Sequence, residues 1–245
     1  ATLKNEFCLH HMTMTHSVYI GFDRREPEAT EVARASLLAT SSIPLNIQEL
    51  REEELRAKNL YDRPFTTEGN QRIDTRDGKP FSTDFSFTRF LVPALQDYKG
   101  WALCTDSDFL FRRDIKALFD LADDKYAVMC VQHNHRPKEN IKMDGQRQEL
   151  YFRKNWSSMI LWNCSHPANA KLTVEMTNNS PGSFLHAFKW LEDEQIGALP
   201  EGWNWLDGWS SPEIDPEIVH MTRGIPTMKG YEDIPYADEW RSYLK

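Results

Sequence analysis

The chain has no excess of positive charge, no Cys-x-x-Cys pair, no long hydrophobic run and no internal repeat. Each absence narrows what it can be. Lys+Arg number 29 against 37 Asp+Glu, a formal net charge of −8. That argues against a nucleic-acid coat or a polybasic membrane binder, while leaving room for a local basic site for a phosphate ligand. No stretch approaches the about 20 apolar residues of a transmembrane helix, so a soluble protein is expected. Cys8, Cys104, Cys130 and Cys164 are far apart, and three of them lie in apolar strand-like runs where a free Cys acts as a small hydrophobe. This fits a reducing, cytoplasmic setting. Residues 1–16, with His10, His11 and His16, show no period and no signal-peptide pattern, and are read as a poorly ordered extension. With 40% hydrophobic and 12% aromatic content, residues 17–245 are long enough to form one domain with a real core.

What is present is an α/β pattern. Ser17 to Phe22 reads as a first strand, Pro27 opens a helix with Ala29, Val32, Ala33, Ser36 and Leu37 on one face, and Leu45 to Leu50 alternates as a second strand. Residues 51–58 read as a solvated helix, and the polar stretch 61–82, with Pro64, Gly69, Gly78 and Pro80, as a long loop. Thr83 or Asp84 is placed to cap a helix that buries Phe87, Phe90, Leu91 and Leu95, with Arg89 on another face. A helix is expected near Ile115 to Leu121, a strand from Tyr126 to Gln132, and helices at 167–178 and 183–191. The last fifty residues, rich in Trp, Pro and Gly, read as irregular.

The most informative segment is Trp101 to Phe111, WALCTDSDFLF. An apolar strand ends in Asp106-Ser107-Asp108, and a second apolar patch follows at once. Two carboxylates spaced i, i+2 at a strand end can both turn toward one hard cation, and the small Ser107 leaves room for a ligand. Acids set between hydrophobic segments are expensive to bury unless something cationic compensates them.

Around this segment stand VYIGFD, FSFTRFLVP, RKNWSSMILWN, LEDEQIGALP and HMTRGIP, in that relation along the chain. The arrangement resembles that of nucleotide-sugar-dependent glycosyltransferases of the GT-A fold, closest in motif order to the family 8 enzymes and their compact bacterial and viral relatives. The resemblance implies a Rossmann-like mixed sheet flanked by helices, as a single domain with an irregular C-terminal region. It makes Asp106, Asp108 and His220 ligands of Mn²⁺ or Mg²⁺, bridging the phosphates of a nucleoside-diphosphate sugar, UDP-sugar favoured. Gly224 and Pro226 follow His220 at the spacing of a phosphate-approaching turn. Gly21, Phe22 and Asp23 are implied beside the base and ribose, and Arg89 and Ser107 beside the diphosphate or donor sugar. Trp156, Ser157 and Ser158 occupy the place of the family's Asn-small-Gly turn, from which this chain departs. Asp193-Glu194-Gln195 fall where family 8 carries Asp-Gln-Asp, which implies either Glu194 near the reacting carbon of a retaining mechanism or Asp193 or Glu194 as the general base of an inverting one. The acceptor implied is a glycan, a lipid or a small molecule.

Other readings remain at this level. A sugar nucleotidyltransferase would want a Gly-rich basic loop where this chain has Asp23-Arg24-Arg25-Glu26-Pro27. A non-catalytic nucleotide- or carbohydrate-binding module would keep the fold without turnover. His133-Asn134-His135 does not make an HNH nuclease, since a third helical ligand and a basic face are missing. Lys142, Asp144 and Gln146 read as solvated loop residues. Trp203, Trp205 and Trp209, with Asp207, read equally as sugar-stacking surface or core packing.

Overall fold

The computed structural model describes residues 15–134 and 153–245. Most of the expected N-terminal extension, and His135, Lys142, Asp144 and Gln146, lie outside those residues. Strand β1 (His16–Gly21) starts inside the expected extension, because His16 already pairs with Leu45. Its buried end leads through a turn into α1 (Pro27–Thr40), where Pro27 takes a first-turn position that needs no amide hydrogen, and where the expected apolar face is buried. Strand β2 (Leu45–Leu50) runs parallel to β1, and the short α2 (Glu52–Ala57) follows.

The stretch expected as a loop contains a hairpin, β3 (Phe65–Glu68) and β4 (Gln71–Asp74), turned at Gly69 with φ 60°. A positive φ at the first position of a two-residue turn is what Gly permits at no steric cost. The hairpin is held by partners far away in sequence. Arg63, fully buried, lies 2.6 Å from Asp74 and donates to the Thr177 carbonyl at 3.0 Å. Its guanidinium also stacks 3.7 Å from the centre of the Phe87 ring.

The helix expected from Thr83 or Asp84 is a 3-10 turn, Thr88–Leu91, followed by α3 (Val92–Leu95). Asp84 does not cap it, since its carboxylate accepts from the Arg24 amide at 3.2 Å instead. Then come β5 (Trp101–Thr105), β6 (Phe109–Phe111), α4 (Lys116–Phe119), β7 (Val128–Cys130) and β8 (Met159–Asn163). The two helices expected next are broken. A 3-10 turn at Pro167–Lys171 precedes α5 (Val174–Asn179), which Thr173 caps through a bond from the Met176 amide, and α6 (Gly182–His186) is short. The remainder holds β9 (Ile196–Ala198), β10 (Trp205–Leu206), β11 (Ile218–His220) and α7 (Ala237–Arg241).

The main sheet has the order β2-β1-β5-β8-β7-β9, with β2, β1 and β5 parallel and β8 antiparallel to both its neighbours. Its two faces carry separate cores, one around Trp162, Phe90 and Trp190, the other around Leu103, Phe109 and Leu161. A second sheet, β10-β11-β6, carries a third cluster that includes Val219, Met221 and the fully buried Trp240, so the irregular C-terminal region is packed as firmly as the rest. Cys104, Cys130 and Cys164 are buried and free. Among the described residues no helix is long and apolar enough to cross a membrane. After β1 the chain adds β2 on one side and returns to place β5 on the other. Ligands of open α/β sheets bind at the carboxyl ends of strands at such a reversal, here residues 21–23 and 105–108.

Candidate metal and donor site

Asp106-Ser107-Asp108 bridges the two sheets, leaving β5 and entering β6. Strand β11 runs antiparallel to β6 with His220 opposite Phe109, and the Met221 amide donates to the Asp108 carbonyl at 2.9 Å. Strand register alone therefore carries His220 to the acid pair. Its Nε2 lies 3.1 Å from Asp108 Oδ1 and 3.9 Å from Asp106 Oδ2, and one donor atom from each residue fits within 4.8 Å of the others. Opposite ligands of one small hard cation stand about 4.2 Å apart, so the spacing suits such an ion. Asp108 Oδ1 is buried with no hydrogen-bond partner among the described residues, which leaves a lone pair directed at this space. Two carboxylates and an imidazole are a mixed oxygen and nitrogen donor set for a divalent ion, of which the carboxylates suit Mg²⁺ or Mn²⁺.

The imidazole is fixed from behind. His220 Nδ1 donates to Asn204 Oδ1 at 3.1 Å, the Asn204 amide donates to Ser158 Oγ at 2.9 Å, and that hydroxyl donates to the Asn155 carbonyl at 2.7 Å. With Nδ1 occupied, Nε2 is the nitrogen that faces a cation. Asn204, fully buried, was not singled out in the sequence, and no local pattern there marks it.

Charge is balanced around Asp106. Burial pushes its carboxyl up to about 6, Asp108 adds to the rise, and Arg89 and His220 oppose it. Burial would lower His220, but Asp108 and then Asp106 outweigh it and leave the imidazole raised. Arg89, itself buried, approaches Asp106 Oδ1 to 2.7 Å and donates to the Ser157 carbonyl at 2.6 Å.

Beside Arg89 and Asp106 opens a cavity of about 490 Å³, whose walls include Asn155, Ser157, Ser158 and His186. Asn155 takes a left-handed φ of 64°, a conformation Asn tolerates better than most residues. Ser157 Oγ and His186 Nδ1 are 2.7 Å apart. Burial, then Arg89 and Arg63, push His186 down to about 3, so it is neutral. His186 too was missed, because its partners come from other segments. Ser107 is buried between the two aspartates. Trp156 does not line the cavity. Its indole N–H donates to the His133 carbonyl at 2.9 Å and its ring packs on the main core.

The other expected residues have positions of their own. Gly21 ends β1, and a Cβ there would meet the Phe85 ring at 2.6 Å. Phe22 lies under the Arg51 guanidinium, 3.8 Å from its ring centre. The buried Asp23 accepts from the Arg25 amide, Nε and Nη2 and from the Asp84 amide, which hold it below the usual range although burial opposes them. It clamps two loops together at the strand end. Gly224 is buried in a turn, and the Tyr231 ring fills the space a Cβ would need. Asp193 and Glu194 form an exposed 3-10 turn; Asp193 pairs with Arg153, which lines the cavity, while Glu194 is solvated. Trp203 and Trp205 are core residues, Trp209 is 58% exposed, and the buried Asp207 pairs with Arg223 at 2.8 Å.

No protein-family model matches the chain. Protein CDI of Arabidopsis thaliana is 47% identical to it over 233 residues, covering 93% of this chain and 85% of that protein. The chain belongs to the CDI family. Solved structures similar to this CDI-family chain include the glycosyltransferase GlyE of Streptococcus pneumoniae TIGR4, with a TM-score of 0.58 and 16% identity over 94% of this chain. The galactosyltransferase LgtC, crystallised with donor and acceptor sugar analogues, gives a TM-score of 0.57 at 12% identity over 93% of this chain and 94% of its own. The bifunctional glycosyltransferase WbbM gives 0.56 at 13% identity. The chain spans 52% of WbbM and 60% of GlyE. At such identities the likeness is one of fold, and the CDI-family fold is of the GT-A type.

Proposed function

We propose that this CDI-family chain is a metal-dependent glycosyltransferase that moves a hexose from a nucleoside-diphosphate sugar, UDP-sugar favoured, to an acceptor hydroxyl. The observation that carries this reading is the meeting of Asp106, Asp108 and His220 at the carboxyl end of β5, backed by Arg89. Asp106, Asp108 and His220 would hold a divalent cation, Mn²⁺ or Mg²⁺. When bound, such an ion neutralises the charge that builds on a departing diphosphate. Arg89 holds Asp106 in place from the Ser157 side and adds a fixed positive charge. Asn204 and Ser158 keep the imidazole turned toward the acids. The role of acid or base toward the acceptor falls to the Asp193-Glu194 turn, with Asp193 linked to the cavity through Arg153. Gly21, Phe22 and Asp23 shape the strand end where base and ribose would lie, and family 8 is the group whose motif order the chain follows most closely.

The test is UDP binding by calorimetry and UDP release from UDP-sugars, each with Mn²⁺ and with chelator. The expected result is ion-dependent binding and turnover, both lost in the folded double variant Asp106→Asn, Asp108→Asn. Ion-dependent binding with no release from any donor would instead favour a non-catalytic module. Binding that ignores both chelator and the double variant would overturn the metal assignment.

A further inference from the structure

The cavity beside Asp106 is cationic in a chain whose net charge is −8. Lys79, Arg89, Arg153, Lys154 and Lys189 line it, against a single carboxylate, Asp106, among the described residues. Arg89 is partnered by Asp106 and Arg153 by Asp193, and Lys154 is not without a partner either. Lys79 and Lys189 have no carboxylate within ion-pair distance among the described residues, and both are exposed at the rim. The buried Arg89 also keeps an Nε N–H without a hydrogen-bond partner among those residues.

The two lysines come from distant segments, and the fold fixes them on one rim. Asp77 accepts from the Lys79 amide at 2.9 Å and from the Gly182 amide at 3.1 Å, so the loop after β4 is tied to the start of α6. Lys189 follows α6 by one short turn, closed by a bond from its amide to the Phe184 carbonyl at 3.0 Å. Asp108 and His220 do not line this cavity. The cavity with its cationic rim therefore shares Asp106 with the Asp106–Asp108–His220 cluster but not the other two residues of that cluster.

We infer that the cavity receives an anionic sugar-bearing ligand, one that carries a carboxylate or phosphate in addition to the donor diphosphate, and that Lys79 and Lys189 bind that group. This rests on the glycosyltransferase reading and adds the charge of its substrate. The extra charge has two possible carriers, the transferred sugar and the acceptor. Lysine reads a phosphate or carboxylate as a point charge on a flexible stem, which suits a rim that admits ligands of more than one shape.

The experiment uses the full chain with Mn²⁺ and measures binding by calorimetry in two arms. One compares UDP-glucuronate with UDP-glucose. The other compares glucose 6-phosphate with glucose, each added to protein saturated with UDP. The expected result is tighter binding of the anionic member in one arm, weakened about tenfold per lysine in Lys79→Gln and Lys189→Gln, while affinity for UDP stays at the wild-type value. The arm that responds names the carrier. No preference in either arm overturns the inference and leaves the glycosyltransferase reading standing, provided UDP binds with Mn²⁺. Weaker binding of UDP itself in the lysine variants also overturns it, because the cationic rim would then serve the diphosphate. Failure of UDP to bind the wild type at all would sink the underlying reading instead.

Discussion

Asp106 and Asp108 stand at the junction of two sheets with side chains 18% and 21% exposed, whereas the Asp193 side chain is 78% exposed in a short 3-10 turn. In sequence the two acid pairs look alike, each a pair of carboxylates beside an apolar run. The fold separates them. The first pair is fixed by β5, by β6 and by a strand that delivers His220, and its charges are countered by Arg89. The second is held by the local Glu192–Gln195 capping box and by Arg153. A rigid, partly desolvated pair suits a fixed cation, and a solvated pair on a turn suits a group that meets a mobile acceptor.

The comparison can be broken by substitution. The largest effect is expected for Asp108→Asn, which should lower kcat/KM by about 10²–10³ in a UDP-release assay, with circular dichroism unchanged because a like-charge contact is removed. Next comes the double change Asp193→Asn, Glu194→Gln, expected to lower kcat about 10²-fold while calorimetry finds the UDP affinity intact. An equal loss of UDP binding there would erase the distinction between the two pairs. Asn204→Ala sharpens it further. It frees the imidazole from behind and should weaken Mn²⁺ binding about tenfold, read by titration of the ion against UDP-saturated protein.

The smallest effect is a pH dependence. His186 is held neutral, pushed down to about 3 from the ordinary 6.5 by burial and by Arg89 and Arg63. The unfolded chain takes this proton first as the solution is acidified. Stability from this group is therefore complete above pH 6.5 and is lost progressively toward pH 3. His186→Gln removes that loss, so urea midpoints of wild type and variant should draw together as pH falls through this window.

Much of the first half of the chain was legible. Strand β1, helix α1 and strand β2 have clean periods, and Asp106-Ser107-Asp108 sits where an apolar strand ends. His220 was legible only through the motif around it, since the antiparallel pairing with β6 that brings it home is non-local. The hairpin at Phe65–Asp74 was not legible, because Arg63, Asp74 and Phe87 pair across segments and its strands are mostly polar and exposed. The second sheet was lost for another reason: β10 and β11 are too short to show a period. Asn204 and His186 carry no signal until their partners from other strands and loops are in place. The tryptophans of the C-terminal region divided, with Trp203 and Trp205 going to the core and Trp209 to the surface.

The pairing of β11 with β6 also makes the acid pair depend on a segment far along the chain. Both aspartates precede β11 by most of the second half of the sequence, and a domain generally folds as a unit. A copy truncated before residue 218 would lack both β11 and His220. Such a copy would retain every strand of the six-stranded sheet in its sequence, yet it could not bring Asp106, Asp108 and His220 together.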